Sequence, residues 1–125
     1  MKLNNVKEVK KWLRNLAIVK SELELKIDFY RELSDGFNGQ ENLRKYREEY
    51  MKKIKELKTA LNRQLADIEK LFSILTEEER MILTARYINL VKWDYIEFRV
   101  FYSRRQAIRI HDAAILKLVG KEVGV

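Results

Sequence analysis

The segment Tyr102-Ser103-Arg104-Arg105-Gln106-Ala107-Ile108-Arg109-Ile110-His111-Asp112-Ala113-Ala114-Ile115-Leu116-Lys117-Leu118 opens on a polar cap and runs on without a helix breaker. Ser103 and Gln106 stand three apart, the spacing at which a cap hydroxyl and a returning amide satisfy each other's backbone N–H groups. Ala107, Ile110, His111, Ala114 and Leu118 then recur in steps of three and four. That spacing predicts a helix to about Val119 with one inward stripe. Arg104, Arg105, Ile108, Arg109 and Asp112 fall on the opposite face. Arginines crowded into the first turns of a capped helix suit the second helix of a helix-turn-helix, whose N-terminal residues meet base edges.

The preceding residues supply the partner helices. Thr76-Glu77-Glu78-Glu79 is another capping box, and its acids suit the positive end of a helix. The spacing predicts a helix to about Ile88, with Asn89 as a left-handed stop, and a shorter helix from about Lys92 to Val100. Tyr87, Trp93, Tyr95, Phe98, Phe101 and Tyr102 are expected to build the compact core of this small module. His111, with no cysteine or second histidine in the chain, reads as a packed, hydrogen-bonded residue.

Further toward the N-terminus, Val6, Val9, Leu13, Leu16, Leu23, Ile27 and Tyr30 form a helical stripe between about Asn5 and Leu33. Ser34-Asp35-Gly36-Phe37-Asn38-Gly39-Gln40 has turn chemistry and marks a break. Leu43, Tyr46, Tyr50, Ile54, Leu57, Leu61, Leu65, Ile68 and Phe72 form a second stripe from Glu41 to about Phe72. Two long amphipathic helices joined by a short connection predict an antiparallel hairpin with coiled-coil character. The expected fold is therefore all-α: a helical hairpin over residues 1–74 for assembly or partner contact, a three-helix module over 75–119, and a fraying tail over 120–125.

Composition agrees with helices. The chain has 125 residues, no proline, no cysteine and only 4 glycines. Absent cysteine excludes disulfides, zinc fingers and thiol chemistry. No apolar run approaches a membrane span and no signal-peptide core stands at the start, so a cytoplasmic location without membrane partners is expected. No Gly-rich phosphate loop, nucleophile–base pair or metal spacing occurs, so neither enzyme activity, nor a cofactor, nor a metal is expected. The net charge of +7 is unevenly spread: residues 1–75 hold 17 basic and 12 acidic side chains, residues 76–125 hold 9 and 7. Part of the excess is a run along the first helix, Lys7, Lys10, Lys11 and Arg14, readable as a solvated face, a phosphate contact or a site for an acidic partner.

Leu75-Thr76-Glu77-Glu78-Glu79-Arg80-Met81-Ile82-Leu83-Thr84-Ala85-Arg86-Tyr87 resembles the opening of the C-terminal DNA-binding region of sigma-70-type factors. Arg86-Tyr87, then Trp93-x-x-Ile96, then Tyr102-Ser103-x-x-Gln106 and Ile110-His111-x-x-Ala114, in this order, resemble the ArpU/RinA-type late-gene regulators of Gram-positive phages and related mobile elements. The likeness covers about Leu75 to Leu118. It implies a sequence-specific DNA-binding transcriptional regulator, an activator of late genes working with RNA polymerase in the cytoplasm of a bacterial host. Sigma-like regions usually carry glycine in the turn where this chain has Phe101, which predicts turn dihedrals outside the left-handed region.

Within a helix-turn-helix, Arg104, Arg105 and Arg109 are candidates for guanine edges and Ile108 for a thymine methyl. Arg86, Lys92, Trp93, Ser103 and Lys117 are candidates for the phosphate backbone. Double-stranded DNA is the expected partner, read by a homodimer with RNA polymerase as a further partner. The competing readings are a small terminase-like DNA-binding subunit and a protein-interaction module that grips RNA polymerase or a regulator without reading DNA.

Overall fold

The computed structural model describes residues 1–36 and 44–124. They form an all-α chain: α1 (Val6–Gly36), α2 (Arg44–Phe72), α3 (Glu77–Leu83), a π-helical turn (Thr84–Ile88), a 3-10 helix (Trp93–Phe98) and α4 (Arg104–Leu118). The expected break at 34–40 begins later than the turn residues suggest, because α1 continues through Gly36; the rest of that break and the expected helix start at Glu41 lie outside the described residues.

The chain divides into two compact units, Ile18–Arg63 and a discontinuous one made of Met1–Ala17 with Gln64–Val125. The anticipated boundary between 74 and 75 does not coincide with this division. In the unit Ile18–Arg63, the Phe29 and Tyr50 rings lie 4.8 Å apart between late α1 and early α2. Leu23, Leu33 and Ile54 are buried there, while Ile18 and Leu25 stay 63% and 70% exposed, seven residues apart on α1.

In the discontinuous unit, early α1 lies beside late α2. The Gln64 side-chain amide donates to the Trp12 carbonyl at 3.0 Å and accepts from the Asn15 amide at 3.3 Å. Early α1 with late α2, and late α1 with early α2, is the pairing of an antiparallel hairpin. The α2 stripe turns out rotated toward Gln64: that residue is buried, whereas Leu65 and Tyr46, expected on the inward stripe, are exposed. A glutamine is tolerated inside because both ends of its amide are paired.

Of the tail expected to fray, residues 120–124 are ordered, and Val125 lies outside the described residues. Gly120 takes φ 87°, open to glycine but strained for other residues, and turns the chain back after α4. Lys2 and Glu122 then form an antiparallel bridge. The Leu3 N–H donates to the Lys121 carbonyl at 2.9 Å, the Gly120 N–H to the Leu3 carbonyl at 2.6 Å and the Val123 N–H to the Met1 carbonyl at 2.8 Å. Leu3 and Val123 are both buried, so apolar burial fixes a segment whose composition alone reads as loose.

Local geometry between α3 and α4 differs from the expected plain helices. The capping box at Thr76 and Glu79 is present. The helix then widens, the Asn89 N–H reaching the Thr84 carbonyl at 2.9 Å, five residues back. That widening moves the left-handed stop by one residue: Asn89 has φ −89° and Leu90 has φ 56°. The Val91 N–H closes the end by donating to the Ala85 carbonyl at 2.8 Å. Ile82, Ala85, Ile96, Val100 and Ala107 form the core of this region, with Val91, Trp93, Tyr102 and Ile110 packed around it.

Candidate nucleic-acid interface

The outward face of α4 is positioned by its cap and its buried stripe. Ser103 adopts extended dihedrals, its Oγ accepts from the Gln106 N–H at 3.3 Å, and the Gln106 Oε1 accepts from the Ser103 N–H at 3.1 Å. Ala107, His111, Ala114, Ile115 and Leu118 are buried, with Ile110 half-buried. Ile115 belongs to this stripe although the sequence pattern passed over it. With that face held inward, Arg105 and Arg109 are exposed and Ile108 is half-buried beside them.

Arg104 is exposed but tethered, its Nη1 donating to Asp94 Oδ1 at 2.8 Å. The pair sits in solvent, where such a bridge is worth at most about 1 kcal/mol, so Arg104 is free to exchange Asp94 for another anion. The same contact sets the start of the 3-10 helix beside the start of α4. Lys92, the residue before that helix, is exposed and has no side-chain cap bond. Arg104, Arg105, Ile108, Arg109 and Lys92 are therefore gathered around the N-terminal end of α4. Ser103 belongs to the same end, though its hydroxyl is occupied by the cap.

Three other candidates for phosphate contact, Arg86, Trp93 and Lys117, have partners within the chain. Arg86 donates from Nη1 to the Val91 carbonyl at 2.8 Å and its guanidinium lies 4.6 Å from the centre of the Trp93 ring. Burial, and then the charge of Arg14, lower its pKa, though a guanidinium stays protonated. Trp93 is half-buried between that guanidinium and His111, whose ring meets it edge-on at 5.2 Å. Lys117 donates from Nζ to Glu79 Oε1 at 2.6 Å and ties the last turn of α4 to the first turn of α3. Basic residues on a short helix read as surface groups in one dimension; only packing reveals that these two brace the fold.

Glu79 is buried with its charge. Burial alone would raise its pKa, but the Lys117 ammonium and the Thr76 backbone and side-chain bonds outweigh that and hold it below the ordinary 4.5. His111 is buried between two partners: Nε2 lies 2.8 Å from the Tyr87 hydroxyl and Nδ1 lies 2.9 Å from Asp112 Oδ1. A neutral ring protonated on Nδ1 satisfies both, donating to Asp112 and accepting from Tyr87. Burial depresses the His111 pKa below its ordinary 6.5; Asp112 opposes this, while Lys10 and Arg86 reinforce it.

This depression has a defined sign. The unfolded chain binds a proton at His111 before the folded protein does, so stability falls as pH drops through about 6.5. Glu79 adds a second loss at lower pH, as its depressed carboxyl protonates below 4.5. Thermal unfolding measured from pH 8 to 5 should show Tm declining on the acid side of this range. His111→Gln should flatten that decline; an equal slope in both proteins would deny His111 the role.

The aromatic residues do not all enter the core as expected. Tyr87 is buried and Trp93 and Tyr102 are half-buried, but Tyr95, Phe98 and Phe101 are 60%, 78% and 98% exposed. In a 3-10 helix residues three apart eclipse one another, so Trp93 and Ile96 share the inward row and Tyr95 and Phe98 the outward one. Phe101 is not in the left-handed region, in keeping with the bulk of its side chain. These three rings stand next to the N-terminal end of α4 and join the candidate surface. The interval of three between them was the available signal.

Among the described residues, no group of three acidic or histidine side chains comes together to hold a metal ion. No described helix is long and apolar enough to cross a membrane. Comparison with protein-family models, with curated proteins and with solved structures finds no match to this chain.

Proposed function

We propose that this chain is a sequence-specific, DNA-binding transcriptional regulator that presents α4 to the major groove. The observation that carries the reading is the N-terminal end of α4, where Arg105 and Arg109 are exposed beside the half-buried Ile108 while the opposite face is locked into the core. A rigid, capped helix end bearing planar guanidinium forks matches what guanine O6 and N7 require. Lys92 supplies a phosphate contact, and Arg104 joins it when Asp94 is displaced. The resemblance of residues 75–118 to late-gene regulators adds the finer reading: activation of phage or mobile-element late genes together with host RNA polymerase.

One such helix buries a modest area, and dimerisation supplies the second half-site. The heptad-spaced, exposed Ile18 and Leu25 of α1 are the surface for it. Selection of bound fragments from a random double-stranded pool, with the full-length protein, tests the whole reading. Enriched inverted repeats with half-sites about one helical turn apart are the expected result. A pool that emerges without enrichment overturns it.

The exposed Tyr95, Phe98 and Phe101 favour a second reading, in which the same module binds a protein such as RNA polymerase. That reading predicts an unenriched DNA pool together with polymerase binding that is lost in Phe98→Ala/Phe101→Ala.

A further inference from the structure

The basic run of the first helix has no role in the interface described so far. In the discontinuous unit it lies alongside the module that carries α4. Arg14 and Ala17 of α1 line one shallow cleft together with Arg86, Tyr87 and Leu90. Lys10 is near enough to His111 to depress its pKa, and Arg14 near enough to Arg86 to do the same. The hydrogen-bond partner of His111 is Asp112, which follows Arg105 and Arg109 by seven and three residues on the outward face of α4. The basic side of α1 thus borders the flank of the recognition helix. Lys7, Lys11 and Arg14 are exposed and Lys10 is half-exposed, and among the described residues none of the four is in an ion pair.

Four unpaired cations on α1, with Arg14 beside the half-buried Arg86, repel one another in the free protein. An external polyanion relieves that repulsion, and Lys10 and Arg14 lie near His111 and Arg86 of the unit that carries α4. We infer that Lys7, Lys10, Lys11 and Arg14 form a second backbone-binding track, which grips the phosphates flanking the site that α4 reads. The track contacts phosphates and leaves base preference to α4. This inference rests on the reading of α4 as a DNA-binding helix and extends its footprint to α1.

The test is the salt dependence of DNA binding by the full chain and by a variant carrying Lys7→Gln, Lys10→Gln, Lys11→Gln and Arg14→Gln. Glutamine keeps helix propensity while removing charge. Each phosphate contact contributes about 0.9 to the slope of log affinity against log salt, so the variant slope should be shallower by about 2–4. Its affinity should fall at least about tenfold at low salt for every sequence, with the selected base preference unchanged. Substituting arginine for the three lysines should retain the slope, which separates lost charge from lost fold.

Sequence-selective binding with an undiminished slope in the glutamine variant overturns the track and leaves the α4 reading standing. A parent protein that binds no DNA overturns both. A changed base preference also overturns the track, since it assigns the run to base reading.

Discussion

Ile82→Ala is expected to destabilise the protein by about 2–5 kcal/mol, the usual cost of deleting a large aliphatic side chain from a packed core. Ile82 is fully buried and belongs to the cluster that joins α3, the 3-10 helix and the start of α4. Ala85 and Ala107 in that cluster are too small to reach into the space left by the missing side chain. The loss is a large share of the roughly 5–15 kcal/mol that holds an ordinary domain together. Urea or thermal unfolding reads the effect directly. Met81→Ala, at the adjacent and exposed position, is the control and should cost much less. Equal losses at 81 and 82 would mean that the buried cluster is not where the module gets its stability.

Arg105→Ala is expected to weaken binding to a selected DNA site by about tenfold to a hundredfold, the range of one bidentate guanidinium–guanine contact. Arg105 stands in the first turn of α4, exposed, and has no ion-pair partner among the described residues. Its loss therefore costs little folding stability, and the folded variant is a fair probe of recognition. The diagnostic consequence is relaxed preference at one base pair, with binding to unrelated sequence nearly unchanged. Lys92→Ala should behave differently, weakening binding to all sequences and lowering the salt slope by about 0.9. Selected-site affinity that survives Arg105→Ala intact would place the reading face elsewhere.

Local chemistry is what the sequence exposes most clearly. The caps at Thr76 and Ser103 depend on side chains only three residues apart, and both boxes form where the residues predict them. The inward position of His111 follows from helical periodicity, although its bonds to Tyr87 and Asp112 do not. Periodicity also places Arg105 and Arg109 outward, because a buried stripe on one side of α4 leaves only the other for charge. Residue type alone misleads. Clustering of aromatic residues suggests a core that includes Tyr95 and Phe98, whereas the 3-10 helix turns the row of Trp93 and Ile96 inward and leaves those two outside. The internal roles of Arg86 and Lys117 depend on a carbonyl made available by a widened turn and on a carboxylate 38 residues away. Neither has a signature within reach of a local pattern.

The pairing of Lys2 with Glu122 has a consequence for the order in which the protein assembles. The segment from Thr76 to Leu118 is built from helices and turns whose partners are close in sequence, so its structure costs little loop entropy to form. The bridge joins residues far apart in sequence, so its loop closure is costly. On a ribosome, α1 leaves the exit tunnel long before the residues that complete the unit to which its first turns belong. Until residues 120–123 emerge, Leu3 lacks the backbone partners that hold it in place. The clasp between residues 1–3 and 120–123 is therefore the last contact of this unit to close, after α4 has already formed.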